Sequence, residues 1–120
     1  MYEDNDTLAF LDIRPVNPGH TLVIPKEHFR NVLDVPDSVF AKVAVAAQKV
    51  ARAVKSGMQA DGVNVSSSHE PAAGQEVFHL HLHIIPRFES DGLKHWPHKE
   101  YGPDEPARVA EHIRAAIEKI

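Results

Sequence analysis

The sequence predicts an α+β fold, with an antiparallel sheet of about five strands backed by one helix and closed by a second. Three observations predict it: short runs of strand-forming residues, turns rich in proline and glycine between them, and two segments with apolar residues at helical spacing. At 120 residues the chain has the length of a single domain, which we assign to residues 1–120. A chain of this length can bury a hydrophobic core without disulfide bonds.

The first part of the chain predicts two antiparallel strands. Residues 7–13 are rich in strand formers, and residues 14–19 contain two prolines and a glycine, which are typical of a turn. Residues 20–25 form a second apolar run that ends at Pro25. We therefore expect these two strands to pair.

Two helices are predicted from apolar residues at intervals of three and four. The longer helix begins near Pro36 and ends at Gly57, and its many alanines favour helix formation and close packing against a sheet. The second helix begins at Asp104, a suitable N-terminal cap, and ends at Ile120. We expect it to close the fold through an apolar stripe formed by Val109, Ile113, Ile117 and Ile120.

The segment from residue 79 to residue 87 alternates histidine with aliphatic residues, which is the period of a strand with one polar and one apolar face. It predicts that His79, His81 and His83 share the polar face. In a flat strand the neighbouring histidines would be about 6.6 Å apart and the outer two about 13 Å apart. Burial of an apolar face does not require histidines opposite it, so the row favours contacts along an extended ligand.

A polar loop at residues 66–75 lies between a short predicted strand, Val63–Val65, and the histidine segment. We expect the two strands to pair as a hairpin. The loop is longer than hairpin closure needs, and loops of this kind often carry function. Gly74, near its end, allows the backbone to approach a ligand closely.

Three interpretations of the histidines are open. Two histidines on a strand can share a metal ion, but three in a flat strand cannot, and a further ligand would have to be His20 or His69. The rings can also serve only as hydrogen-bonding side chains. The third interpretation makes one imidazole a nucleophile at a phosphate, with a partly protonated neighbour as hydrogen-bond donor, because imidazole is mostly neutral at pH 7. We favour this phosphate chemistry and expect no metal site.

Composition argues against several functional classes. The chain has 13 basic and 17 acidic residues, so its net charge of -4 gives no general attraction to nucleic acids or anionic membranes, and we expect neither as a partner. The absence of cysteine excludes a thiol nucleophile and a cysteine-ligated zinc site, and it agrees with the cytoplasmic location that we expect. The early apolar stretch at residues 8–13 is too short for a membrane span.

Two separated blocks of the sequence resemble the histidine triad (HIT) superfamily of nucleotide hydrolases and transferases. Residues 74–87 resemble the family signature, and residues 8–13 and 19–26 with His28 resemble its other conserved block. The likeness extends from about Thr7 to Trp96. It implies a HIT-like fold and a homodimer. The proline and arginine that end the signature are similar to those of prokaryotic HIT-like proteins, whereas the His-Trp-Pro run near residue 96 is similar to the phosphoramidase branch.

The resemblance implies different roles for the three histidines of the signature. His81 would be the nucleophile that attacks the α-phosphorus and becomes nucleotidylated. His83 would contact the α-phosphate, and His79 would orient the nucleophile. His20 matches a further family histidine that packs near His79 and that, in some members, joins a zinc site with two cysteines. Because this chain has no cysteine, we expect His20 to have a structural or hydrogen-bonding role.

The resemblance also implies a set of substrate-binding residues at the ribose and in a phosphate-binding turn. They are Asp12 and Ile13 at the ribose, and Ser68, Gly74, Gln75 and Glu76 at the phosphate. Family members often have asparagine or glutamine in place of Ser68, so either the serine performs this role or Asn64 or His69 replaces it. The other histidines are expected to be solvated, namely His28, His95, His98 and His112.

The implied activity is attack on the α-phosphate of a nucleoside 5′-phosphate derivative, with release of a nucleoside monophosphate such as AMP. The expected substrates are phosphoramidates, aminoacyl-adenylates or dinucleoside polyphosphates of adenosine or guanosine. No cofactor is required, although Mg2+ can accompany a polyphosphate substrate. A second class of function stays open, a purine-nucleotide-binding module with little turnover, and the serine at position 68 motivates it.

Overall fold

The computed structural model describes all 120 residues. Its strands are β1 (Tyr2–Glu3), β2 (Thr7–Leu11), β3 (Thr21–Pro25), β4 (Gly62–Ser66) and β5 (Leu82–Arg87). Its helices are α1 (Asp37–Gly57) and α2 (Glu105–Ile117). The strands form one antiparallel sheet in the order β1-β2-β3-β5-β4. The predicted α+β fold, with about five antiparallel strands and two helices, is confirmed.

The hairpin of β2 and β3 brings Asp12 and His20 together at its open end. Ala9 lies opposite Val23 in the ladder, and beyond the strands the Asp12 amide donates to the His20 carbonyl at 2.9 Å. Gly19 has a φ of 99°, and a Cβ at this position would lie 2.7 Å from Cγ of Met58. Glycine is therefore required both for the turn and for the close approach of the chain.

The core lies between α1 and one face of the sheet. The helix begins after Pro36, which is extended, and it contributes five buried residues, all valine or alanine. The sheet side of the core contains Ala9, Val23, Leu82 and Ile84. Because side chains alternate across a strand, His83 faces away from this core, and the histidines occupy the opposite face.

The strand of the histidine segment begins later than predicted. β5 starts at Leu82, so His79 and His81 precede the ladder. The reason is that the backbone before Leu82 forms a hydrogen bond outside the sheet. The amide of Leu80 donates to the carbonyl of Phe29 at 2.7 Å. The predicted flat row of three histidines is therefore wrong, although Leu80, Leu82 and Ile84 are buried as the alternation requires.

Helix α2 begins directly after Asp104, as predicted, but it does not close the fold. None of its residues is buried, and Ile113 and Ile117 are more than half exposed. The apolar spacing specifies an amphipathic helix but not the surface that it contacts, and α2 makes no extensive contact with the sheet or with α1. Neither helix has the length and apolar character that crossing a membrane requires.

Candidate active site

Five histidine rings gather on the sheet face opposite α1 and at its edge. The ring centroids of His81 and His83 are 5.0 Å apart, and those of His83 and His20 are 5.1 Å apart. A second pair, His79 and His28, has centroids 5.0 Å apart. The hydrogen bonds of these rings determine which nitrogen of each carries the proton.

His81 has its free lone pair on Nε2. Its Nδ1 lies 2.7 Å from the carbonyl oxygen of His79, and a carbonyl only accepts, so Nδ1 carries the hydrogen and donates. In a neutral ring the other nitrogen is then unprotonated. His81 thus has the tautomer that a nucleophile attacking through Nε2 requires.

His20 and His83 form a directional chain of hydrogen bonds. The amide of Val16 donates to Nδ1 of His20 at 3.1 Å, so the proton of a neutral His20 ring is on Nε2. That nitrogen lies 2.9 Å from Nδ1 of His83, to which it donates. The proton of His83 is therefore on Nε2, and the chain ends in an N–H donor beside His81.

Burial favours the neutral forms of His20 and His83. It lowers the pKa of both rings, and only the carboxylate of Asp12, 3.7 Å from Nε2 of His20, opposes the effect. Any charge on His81 lowers the pKa of His83 further. The sequence favoured a partly protonated neighbour for the nucleophile, but a neutral His83 already supplies a donor through its fixed tautomer.

One sequence-based expectation about the accessory histidines is wrong, and one pairing was not predicted. His20 packs against His83, whereas the resemblance implied a position near His79. The partner of His79 is instead His28, which is exposed, as expected, and whose Nδ1 lies 3.0 Å from Nδ1 of His79. His79 donates from Nε2 to the carbonyl of Pro25 at 2.9 Å, so its Nδ1 accepts from His28.

Gln75 is buried, and its amide is fully used within the loop. Oε1 accepts from the side chain of Asn31 at 3.0 Å and from the amide of Glu70 at 2.8 Å. Nε2 donates to the carbonyls of Arg30 at 2.7 Å and Val77 at 3.1 Å. The side chain therefore fixes the shape of the predicted phosphate turn, and the backbone amides of Gly74 and Gln75 also donate within it, to the carbonyls of Pro71 at 2.9 Å and Glu70 at 3.2 Å.

Glu70 has a φ of 79°, a conformation that strains a residue other than glycine by about 1–3 kcal/mol. Arg30 holds its carboxylate with two hydrogen bonds of 2.8 and 3.0 Å, and Asn31 adds a third of 2.6 Å. The hydrogen bond from Arg30 also lowers the pKa of Glu70. Sequence reasoning missed this network because its members are about forty residues apart, and no local pattern joins them.

The remaining predicted site residues occupy different surroundings. Gly74 has a φ of 96°, and a Cβ on it would lie 3.8 Å from Oγ of Ser68, so the serine is next to the turn. Asp12 is half-buried beside His20, whereas the side chain of Ile13 is 94% exposed. Glu76 is exposed. Their roles at a substrate stay predictions.

The two alternatives to Ser68 differ in position. The side-chain oxygen of Asn64 accepts from Arg87 at 2.6 Å, at the outer edge of the sheet. His69 accepts from the amide of Val32 at 3.0 Å, and both burial and the charge of His81 lower its pKa. The charge of His81 thus acts on His69, whereas Asn64 is paired with Arg87.

An apolar cavity of about 150 Å³ adjoins the histidines. It is lined by Phe10, Leu22, Ile24, Val77, His79 and His81. A larger hollow of about 510 Å³ lies along the free edge of β4, but Arg87 and Asp91 within it pair with each other at 2.8 Å. We assign the site to the smaller cavity, because it contacts the predicted nucleophile and the larger hollow does not.

The donor atoms near the site do not fit a metal ion. Asp12, His20 and His83 have ligand-type atoms within 4.8 Å of one another, but Nε2 of His20 carries a proton and cannot ligate. His28 and His79 offer two nitrogens, fewer than the four ligands of a structural zinc site, and no cysteine or acidic side chain completes the set. The metal-free site stays a prediction.

Comparison with known proteins gives one consistent result. The model of the HIT domain matches residues 1–90. A HIT-like protein of Borreliella burgdorferi is 47% identical over 95 residues, which are 78% of this chain and 68% of that protein. The adenylylsulfatase HINT3 of Arabidopsis thaliana is 39% identical over 93 residues, 78% of this chain and 47% of that protein. The chain thus spans about half to two thirds of these relatives.

Solved structures agree in fold. The structure of a protein of Streptococcus mutans matches with a TM-score of 0.91 and 42% sequence identity. The match covers 98% of this chain and 75% of the Streptococcus protein. The structure of a histidine triad nucleotide-binding protein of Candida albicans matches with a TM-score of 0.84 and 28% sequence identity. The match covers 99% of this chain and 87% of the Candida protein. The domain model ends at residue 90, so the assignment of residues 1–120 to one domain stays a prediction.

Replacement of Gln75 by alanine should destabilise the protein by about 2–4 kcal/mol, because buried partners in two loops lose their hydrogen bonds. Urea unfolding measures the change. Gln48, exposed on α1, provides the matched control, and Gln48→Ala should change the free energy of unfolding by less than about 0.5 kcal/mol. Equal effects of the two substitutions would contradict the role of Gln75.

Stability should fall as the pH drops below the ordinary histidine pKa of about 6.5. The folded state lowers the pKa of His20 and His83, so the unfolded chain binds protons more readily, and their contribution is complete above pH 6.5 and lost as pH falls through the lowered values. Unfolding free energies at pH 8 and pH 5.5 should differ less in His20→Asn than in the parent. His98→Asn, at an exposed position, should retain the parental difference.

Proposed function

The chain belongs to the HIT domain family, and on that premise we propose that it is a nucleotide-binding enzyme that attacks the α-phosphate of a nucleoside 5′-phosphate derivative. One observation carries the proposal: Nδ1 of His81 donates to the His79 carbonyl at 2.7 Å, so Nε2 offers a lone pair. A neutral ring held in this tautomer can attack phosphorus without first losing a proton.

The reaction proceeds in two steps. The lone pair on Nε2 of His81 forms a bond to the α-phosphorus, the bond to the leaving group breaks, and its electron pair departs with the leaving group, which takes a proton from solvent. Water then attacks the phosphorus and loses a proton, and the phosphorus–nitrogen bond breaks with its electrons returning to Nε2. The product is a nucleoside monophosphate such as AMP. Another acceptor in place of water makes the reaction a transfer.

His83 stabilises the charge that develops on the phosphoryl oxygens. Its Nε2–H is the end of the chain that starts at the Val16 amide and passes through His20, and its ring lies 5.0 Å from that of His81. A donor held in place before the reaction costs no reorganisation when the charge forms. The neutral ring needs no proton uptake for this role, so the donor persists at pH 7.

The apolar cavity beside His81 supports a nucleoside as the recognised group. Phe10, Leu22 and Ile24 offer an apolar wall suited to the flat face of a base, with His79 and His81 at its end. Asp12, half-buried at the end of the β2–β3 hairpin, is proposed to accept hydrogen bonds from the ribose hydroxyls. We propose no metal in the protein, and Mg2+ accompanies only a polyphosphate substrate.

The names of two similar proteins support the substrate class. One relative is an adenylylsulfatase, and one solved structure is a nucleotide-binding protein. The first name agrees with an adenosine 5′-phosphate that carries a leaving group at the α-phosphate, and the second agrees with a nucleotide as the ligand; guanosine is proposed as the alternative base. We propose phosphoramidates, aminoacyl-adenylates or dinucleoside polyphosphates as the substrates of this chain. The homodimer and the cytoplasmic location stay predictions.

A nucleotide-binding module with little turnover is the second candidate function. Ser68, next to Gly74, is shorter than the amide side chain that family members often have, and its reach to a phosphate is reduced. This candidate predicts tight AMP binding by calorimetry with no nucleotide released in a single turnover. Rapid release in a single turnover would eliminate it.

Replacement of His81 by asparagine should reduce AMP release from adenosine 5′-phosphoramidate by at least about 10³-fold, because asparagine has no lone pair able to form the intermediate. Initial rates measure the loss, and calorimetry with AMP should show binding within a few-fold of the parent. His98→Asn should retain full activity. Equal turnover by His81→Asn and the parent would show that His81 is not the nucleophile.

A further inference from the structure

Ser67 contacts the main chain of the proposed nucleophile. Its hydroxyl donates to the carbonyl of His81 at 2.6 Å, and the serine is half-buried. We propose that Ser67 is a positioning residue that fixes the backbone of His81 and thereby aims Nε2 of its ring. The inference rests on the proposed function, in which His81 is the attacking group.

The need for such a contact follows from where the sheet ends. The ladder between β4 and β5 has Ser66 opposite His83 as its last pair, so His81 lies beyond the regular pairing. At this point the chain of β4 turns into the long loop, and the hydroxyl of Ser67 reaches back to the segment that the ladder no longer holds. The side chain thus continues the connection between β4 and the histidine segment by one more bond.

The segment before β5 is fixed from two sides. On one side, the ring of His79 donates to the Pro25 carbonyl at 2.9 Å and the Leu80 amide donates to the Phe29 carbonyl at 2.7 Å. On the other side, Ser67 holds His81. Removal of the hydroxyl leaves these contacts and the pairing of Leu82 with Val23 intact, but it releases the carbonyl of His81 and so loosens the direction of the ring.

The consequence for catalysis is large because nucleophilic attack requires a narrow geometry. A displacement of about 1 Å from the productive position can cost about 100-fold in rate. In the proposed mechanism Ser67 does not touch the substrate, so substrate binding should change little. Its effect should also appear in the ring of His81 itself, because the bond between Nδ1 and the His79 carbonyl depends on the same backbone.

The test compares Ser67→Ala with Ser67→Thr and with Ser66→Ala, whose serine is exposed and neighbouring. With adenosine 5′-phosphoramidate, Ser67→Ala should lower kcat by about 10- to 100-fold and change KM by less than about twofold. Ser67→Thr keeps the hydroxyl and should restore most of kcat, and Ser66→Ala should match the parent. If Ser67→Ala does not fold, Ser67→Cys replaces it, because a thiol is a weak donor of similar size.

A second measurement does not require turnover. The nitrogen-15 shifts of the His81 ring report its tautomer, and in Ser67→Ala they should move from a protonated Nδ1 toward a mixture of both tautomers. A folded Ser67→Ala with parental kcat and parental ring shifts would overturn the inference. If the parent hydrolyses none of the substrates but the ring shifts respond to Ser67, the proposed function fails and the positioning role stands.

Discussion

The hydrogen bond from Nδ1 of His81 to the carbonyl of His79 is the interaction on which the site depends. At 2.7 Å it joins two residues of the same short segment, and it leaves Nε2 as the unprotonated nitrogen. A regular strand would direct this carbonyl into the ladder. The late start of β5 at Leu82 therefore has a chemical consequence, because it makes the backbone of the segment available to the ring.

The rest of the fold serves to hold that segment in place. Leu80 is buried against the core beneath α1, and loops on both sides supply hydrogen bonds to the backbone. The loop that precedes the segment is itself held by the buried pair of Asn31 and Gln75, which also supports the strained backbone of Glu70. Polar groups that have exchanged water for such partners specify a single arrangement, since leaving any one unpaired is costly.

Local patterns predicted most of the fold. The helix of residues 36–57, the antiparallel strands and the hairpin around the long loop followed from periodicity and turn residues, and the family was recognisable from its histidine signature. What the patterns missed depends on contacts between distant residues. The pairing of His28 with His79, the network of Arg30 and the exposed position of α2 are examples, because no spacing along the chain specifies them.

In the proposed mechanism His81 carries the nucleotide between the two steps. Rapid quenching of the protein mixed with adenosine 5′-phosphoramidate in alkaline denaturant, followed by peptide mass spectrometry without acid, tests this step directly, because a phosphorus–nitrogen bond to histidine is hydrolysed in acid. We expect a mass increase of one adenylyl group on the peptide that contains residues 79–83, assigned to His81 by fragmentation and absent from unmixed protein. AMP formed within the quench time without any adenylylated peptide, or with the adenylyl group on a different residue, would show that His81 does not carry the nucleotide.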